Sequence, residues 1–447
     1  MDRLRQFIGR ALGFSPPKAF RYFTPSVDTN FSIFREGDRA IVLSKNPLLT
    51  KPLTKGHQTD VRRGALQHDN IIGKRVRDPI QAYKGPEYRL SLPTLEEYVL
   101  YTPRLVTPIY AADANLIVSL LDIHVFPPTE GEKRTPLEIL EAGTGHGSLT
   151  LHLARAIQAA NSNPPPLPTR SQVQILLDRS IRPHAEAEVR GFETDSGALD
   201  GNPIQQQWDT WRATRGAVIH TVDVSAKFSA HAEKIVRGFR RGIYAGNVDF
   251  HVGHVEDWIA EQMRRRQTTG GLLSLQKPKK AEPFLSYAIL DMPSAHLRIP
   301  HVTPILRRDG LLAVFMPSVT QIGDCVQLIR QQRLPFILER AVELGMGLSS
   351  GRLWDVRFAL KKSRADPSSW VEKTATESSN YQEDHADDLC QHIGADDTLL
   401  TSEDLPKEDN SVLVCRPKVG QRIVGGGFIG IWRRIEDRSD EGRSSDP

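Results

Sequence analysis

Residues 139–150 read Ile-Leu-Glu-Ala-Gly-Thr-Gly-His-Gly-Ser-Leu-Thr (ILEAGTGHGSLT), and the fold turns on this stretch. Leu137, Ile139 and Leu140 suit a buried strand, Gly143, Gly145 and Gly147 crowd a turn, and Leu149 to Ile157 returns to helical spacing. A strand, a glycine turn and a helix in that order form a nucleotide cradle, because the turn lets backbone approach a ligand closely. The spacing narrows the ligand. A dinucleotide fingerprint is G-x-G-x-x-G, whereas this turn is Glu141-x-Gly143-x-Gly145-x-Gly147, with an acid two residues before the first glycine. That form suits a ligand without a pyrophosphate, one offering a cationic amino acid group and an adenosine.

Outward from the turn, the chain alternates. A helix in "DANLIVSLLDI" precedes the first strand, and "GAVIHTVDV", "NVDFHVGHV", "LSYAILDMP" and "GLLAVFMPS" follow as apolar strands separated by helical or loop material. This rhythm predicts a parallel, doubly wound sheet whose ligand lies at the carboxyl ends of the strands. Asp223 ends the second strand, where a carboxylate can accept both ribose hydroxyls; the alternative is that it caps the helix starting near Ser225. "QRIVGGGFIGIWRR" at 421–434 reads as a last strand that pairs back into the sheet.

The sequence divides into a basic segment at 1–36, a small β module of short strands at 37–100, and the doubly wound domain at 101–361, with insertions near 161–215 and 262–283. An acidic, disordered insertion at 362–415, the final strand at 416–435 and a disordered tail at 436–447 complete it. The 447 residues carry a net charge of +4, but thirteen acids against two lysines between Asp366 and Asn410 leave the rest at about +15. A basic body suits a polyanionic partner. No apolar run approaches the roughly 18 residues of a membrane span. Cys325, Cys390 and Cys415 show no metal-ligand spacing, which reads as a reducing compartment without structural metal. Arg3, Arg5, Arg10, Lys18 and Arg21 against the single acid Asp2 give the start the make-up of a mitochondrial presequence, or of a plain basic terminus.

Four stretches together, "LEEYVLYTPRLVTPIYAADANLIVSLLDI", "EILEAGTGHGSLT", "LDMPSAH" and "GGGFIGIWRR", resemble the catalytic subunit of the tRNA 1-methyladenosine methyltransferases that modify the T-loop adenosine. "GALQHDNIIGK" resembles that family's N-terminal domain. The similarity covers about 37–157, 216–360 and 421–434. It implies a class I methyltransferase, a Rossmann-like α/β sheet with a small all-β N-terminal domain, that uses S-adenosyl-L-methionine and takes tRNA as substrate. It also implies a tetramer: a homotetramer if mitochondrial, or, if nuclear, a heterotetramer with a non-catalytic paralogue. Glu141, Gly143, Thr144, Gly145, Gly147, Ser148, Asp223 and Asp291 are then the cofactor-binding residues. Asp291 matches the family acid that contacts the target adenine, and Tyr110 the family tyrosine before the cofactor strand.

Chemistry supports these roles independently. Methylating adenine N1 needs no covalent nucleophile, only a held lone pair, and a carboxylate accepting from the exocyclic amine stabilises the charge that develops. Asp291 stands at a strand end for that task, or serves as a turn residue before Met292-Pro293. Tyr110 can stack on a base or pack as a half-buried aromatic. Arg264, Arg265, Arg266, Lys277, Lys279 and Lys280 form a basic run that contacts phosphates or is merely solvated. The chain departs from the family at His146, at Gly425-Gly426-Gly427, at Thr107-Pro108, and at His254, which leaves His254, Glu256 or Asp257 to read the cofactor adenine. Two other readings stand beside this one: a non-catalytic RNA-binding subunit and a nicotinamide oxidoreductase, the latter disfavoured by the glycine spacing.

Overall fold

The computed structural model describes residues 26–44, 47–127, 135–176, 203–267, 281–345 and 426–435, together with the backbone of 354–360 and 411–417. Residues 1–25, the lysines at 277–280 and most of the acidic stretch lie outside it.

The chain begins with six short strands, β1 (Ile41–Val42), β2 (Leu48–Leu49), β3 (Gln58–Asp60), β4 (Ala65–Gln67), β5 (Pro79–Gln81) and β6 (Glu87–Ser91). They form a four-stranded sheet in the order β2-β1-β6-β5 and a separate β3-β4 hairpin, closing over Phe34, Val42, Leu53, Leu66, Ile71 and Leu90. Helix α1 (Leu95–Tyr101) then starts at a capping box between Thr94 and Glu97, and α2 (Ala111–Leu121) starts at Tyr110.

The large domain runs β7 (Leu137–Ala142), α3 (Ser148–Ala156), β8 (Gln174–Ile175), α4 (Pro203–Arg212), β9 (Ala217–Asp223), α5 (Ala226–Gly238), β10 (Val248–Val252), α6 (Val255–Arg266), β11 (Leu285–Leu290), α7 (Ile299–Val302), β12 (Leu306–Met316), α8 (Val319–Gln331) and β13 (Phe336–Leu344). A separate backbone pair, β14 (Trp354–Leu360) and β15 (Ser411–Pro417), follows, and then β16 (Gly427–Arg434). Eight strands share one sheet in the order β13-β16-β12-β11-β7-β9-β10-β8. β7 to β12 pair in parallel, whereas β16 lies antiparallel between β12 and β13. Successive β7 side chains serve opposite layers: Ile139 joins the cluster built with α1, α2, α3 and α5, and Leu140 joins the one built with α6, α7 and α8. Both faces are covered, so the strand is buried along its length, its two glutamates included.

Three expectations need correction. The stretch 161–215 contributes to the fold: β8 extends the sheet edge beside β10, α4 buries Trp208, and the Asn161 amide bonds Gly216 and Ala217 at the start of β9. Residues 411–415, expected to be disordered, belong to β15, and 416–417 continue that strand rather than the final one. Arg264, Arg265 and Arg266 lie on the last turn of α6; the first two pair with Glu261 and stay exposed, as the solvated alternative has it, whereas Arg266 is engaged with the buried Glu138.

The β module is fastened to the large domain by Arg241. This residue takes a left-handed backbone (φ +57°) just after α5, and its guanidinium donates to both Asp38 carboxylate oxygens at 2.9 and 2.8 Å and to the carbonyls of Asp28, Asn30 and Ile33.

Candidate active site

The glycine turn joins β7 to α3, and all three glycines take positive φ: +101° at Gly143, +51° at Gly145 and +82° at Gly147. Each has its own reason. A Cβ on Gly143 would sit 1.9 Å from the Asp291 carbonyl oxygen, so glycine lets the ends of β7 and β11 close together. Gly147 packs against Ala232 of α5, whereas Gly145 has only Val106 Cγ1 within reach, at 3.7 Å. Gly145 is the least crowded of the three.

Hydrogen bonds fix the surrounding strand ends. Gly143 N–H donates to Val222 C=O at 2.9 Å, and Asp291 N–H donates to Ala142 C=O at 2.8 Å. Asp223 holds the second loop, with Oδ2 accepting from Gly145 N–H at 3.1 Å and Oδ1 from Ser225 N–H at 2.9 Å. Ser225 is itself the cap of α5, so the alternative reading of Asp223 holds only in part: it braces the turn instead of capping the helix. Thr144 and Thr221 hydroxyls meet at 2.7 Å, and Ser148 donates to Ile109 C=O at 2.5 Å, which ties the segment before α2 to the glycine turn.

Tyr110 stands at the start of α2, half-buried, with the Arg104 guanidinium 5.4 Å from its ring centroid and 3.2 Å from its hydroxyl. The 102–110 segment thereby lies against the turn, a contact that local spacing in the sequence does not reveal. His146 turns into the seam with Thr102 (3.3 Å) and His231, and burial pushes its imidazole down to about 4, so it is neutral there. Glu256 is ion-paired with Arg298 at 2.7 Å, while His254 and Asp257 are exposed at the first turn of α6. Of the three candidates for an adenine contact, Glu256 alone is already engaged by protein.

Electrostatics distinguish this end of the sheet. Glu141 is fully buried, accepts from Thr150 Oγ1 at 2.7 Å, and is pushed up to about 8 by burial and by the charges of Asp291 and Asp223. Asp291 is pushed up to about 7 by burial and by Asp223. Among the described residues, no lysine or arginine bonds any of the three, and no cluster has the make-up of a metal site.

Strand order and the antiparallel β16 define a class I methyltransferase fold, with the glycine turn after its first sheet strand and an acid at the end of its second. The chain is similar to the tRNA (adenine(58)-N(1))-methyltransferase TrmI of Thermus thermophilus, 26% identical over 302 residues that cover 68% of this chain and 81% of that one. It is also similar to the tRNA (adenine(58)-N(1))-methyltransferase catalytic subunit TRM61 of Candida albicans, 24% identical over 179 residues, 38% of this chain and 50% of the relative. A solved tRNA methyltransferase TrmI from Aquifex aeolicus aligns with 91% of this chain and 100% of its own at 14% identity and a TM-score of 0.45. No family model matches. The curated relatives bear out the resemblance drawn from the four sequence stretches.

Proposed function

We propose that the protein transfers the methyl group of S-adenosylmethionine to N1 of the T-loop adenosine at position 58 of tRNA, the activity that the names of its Thermus and Candida relatives carry. One observation supports the reading above others: Glu141, Asp223 and Asp291 converge at the carboxyl ends of the neighbouring strands β7, β9 and β11 with no bonded cation among the described residues. Uncompensated acids in a partly buried cleft fit a ligand bearing a sulfonium and an ammonium. When bound, S-adenosylmethionine supplies an electrophilic methyl carbon for in-line transfer.

The protein's own work is binding and orientation. Gly145 admits the ligand to the backbone, and Asp223, already braced by two amides, keeps lone pairs for ribose hydroxyls. Asp291 accepts from the exocyclic amine of the target adenine, which raises electron density at N1 and stabilises the positive charge the ring acquires. N1 attacks with a lone pair, so no general base is needed before transfer. Tyr110, steadied by Arg104, offers an aromatic face for the extruded base. Holding the two reactants in a near-attack arrangement supplies much of the acceleration.

The proposal extends to a tetramer, supported by the open outer edge of β13, where Ile337 and Leu338 are exposed, and to a mitochondrial address carried by residues 1–24. The test of activity is labelled methyl transfer to unmodified tRNA followed by mapping of the modified base. Asp291→Ala is expected to abolish transfer while cofactor binding persists. No label in tRNA, or label on a different base, refutes the reading.

A further inference from the structure

Away from the cleft, two turns of the β module are locked across each other by a pair of glycines. The β3–β4 turn (Val61 to Gly64) meets the turn between β5 and β6 (Ala82 to Pro86), and Ala65 and Tyr83 exchange backbone hydrogen bonds at 3.1 and 2.8 Å. A Cβ on Gly64 would lie 2.4 Å from Tyr83 O, and one on Gly85 would lie 2.1 Å from Arg63 O. Tyr88 donates its hydroxyl to the Arg63 carbonyl at 3.2 Å, and Lys84 takes a left-handed backbone at φ +54°. No side chain larger than hydrogen fits at Gly64 or Gly85, so the two turns pack backbone against backbone.

What the tip presents is basic and aromatic. Arg62 and Arg63 on one turn and Tyr83 and Lys84 on the other are exposed, Tyr83 with 60% of its surface open, and the Lys84 ammonium lies 5.3 Å from the Tyr83 ring centroid. Residues 26–93 hold twelve lysines and arginines against seven acids, and Asp38 and Asp28 are spent on Arg241. An exposed aromatic ring beside a lysine, on paired turns that also carry two exposed arginines, matches a nucleic-acid strand, whose phosphates meet the cations while a base stacks on the ring.

We infer that the tip formed by Arg62, Arg63, Tyr83 and Lys84 is an RNA-docking point that holds the substrate at a distance from the chemistry. The inference rests on the proposed tRNA substrate. Its test is binding of unmodified tRNA by the full chain, read by fluorescence anisotropy across a salt series, with methyl transfer measured in parallel. R62A/K84A is expected to raise Kd about tenfold and to lower the log–log salt slope by about two. Y83A is expected to raise Kd about fivefold, with Y83F near wild type because the stacking face survives. At saturating tRNA, kcat stays unchanged. K51A/K55A removes equal charge elsewhere on the module and leaves binding close to wild type. Wild-type Kd and slope in R62A/K84A, an equal loss in K51A/K55A, or Y83F as weak as Y83A each overturns the inference. The two readings fail separately: a chain that binds tRNA through the tip but transfers no methyl group sinks the proposed function alone.

Discussion

The carboxyl cluster makes cofactor binding a proton-releasing event. With Glu141 pushed up to about 8 and Asp291 to about 7, a cation entering the cleft favours the ionised form of each. At pH 7 the free protein holds about 0.9 proton on Glu141 and about 0.5 on Asp291, so full ionisation releases up to about 1.4 protons. Isothermal titration of S-adenosylmethionine in phosphate and in Tris separates this number from the binding heat, because the two buffers differ in ionisation enthalpy. Asp291→Asn and Glu141→Gln each lower the release, and the two losses overlap because the Asp291 charge helps hold the proton on Glu141. Affinity accordingly rises with pH below 7, by at most tenfold per unit for each group. Proton numbers that do not change between wild type and Asp291→Asn would refute the argument, since the acid would then lie outside the field of the ligand's charge.

The same groups shape stability. Folded-state values above the unfolded ones mean that the ligand-free protein binds more protons than the unfolded chain between about pH 4 and 8, so its stability falls as pH rises through that window, at up to about 1.4 kcal/mol per unit and group. His146 and His152, pushed down to about 4 by burial, act oppositely and remove stability as pH falls below about 6.5. Melting temperature should fall as pH rises from about 6 to 8, and Glu141→Gln should flatten that fall. Gly143→Ala places a methyl 1.9 Å from Asp291 O and is expected to cost at least 3 kcal/mol in a denaturant titration, whereas Gly145→Ala costs about 1–2 kcal/mol and keeps the fold while cofactor affinity drops. Arg241→Met leaves the Asp38 carboxylate buried without its partner, with an expected loss of about 3–5 kcal/mol and early release of the β module in limited proteolysis.

The sequence displays what is periodic or glycine-marked. β7, β9, β11 and β12 are legible because two-sided burial makes apolar residues the majority of each core segment, and Gly143 and Gly147 are legible because only glycine tolerates those contacts. What escapes is long-range pairing. Arg241 reads as one more basic residue until it is seen against Asp38, 203 positions earlier, and Arg266 reads as part of a basic loop until it meets Glu138. The insertion reads as spacer because its contribution, Trp208 and the Asn161 amide, is a set of single residues with no period.

The sharpest illegible contrast lies within β7. Glu138 and Glu141 are three residues apart on one strand, both buried. Against the cost of burial, His220 and the Arg266 guanidinium, at 2.9 and 2.7 Å, hold Glu138 below the usual carboxylate range, and beside it Arg215 and Arg212 hold Asp249 far lower still. Glu141 has hydroxyls and other acids for neighbours and is pushed the opposite way. The protein therefore supplies its own cations to Glu138 and Asp249 at the amino ends of the strands and, among the described residues, none to Glu141 and Asp291 at the carboxyl ends. Burying an unpaired acid is costly, and a fold that pairs Glu138 and Asp249 with arginines but leaves Glu141 and Asp291 without a bonded cation among the described residues lets the compensating positive charge arrive with a ligand.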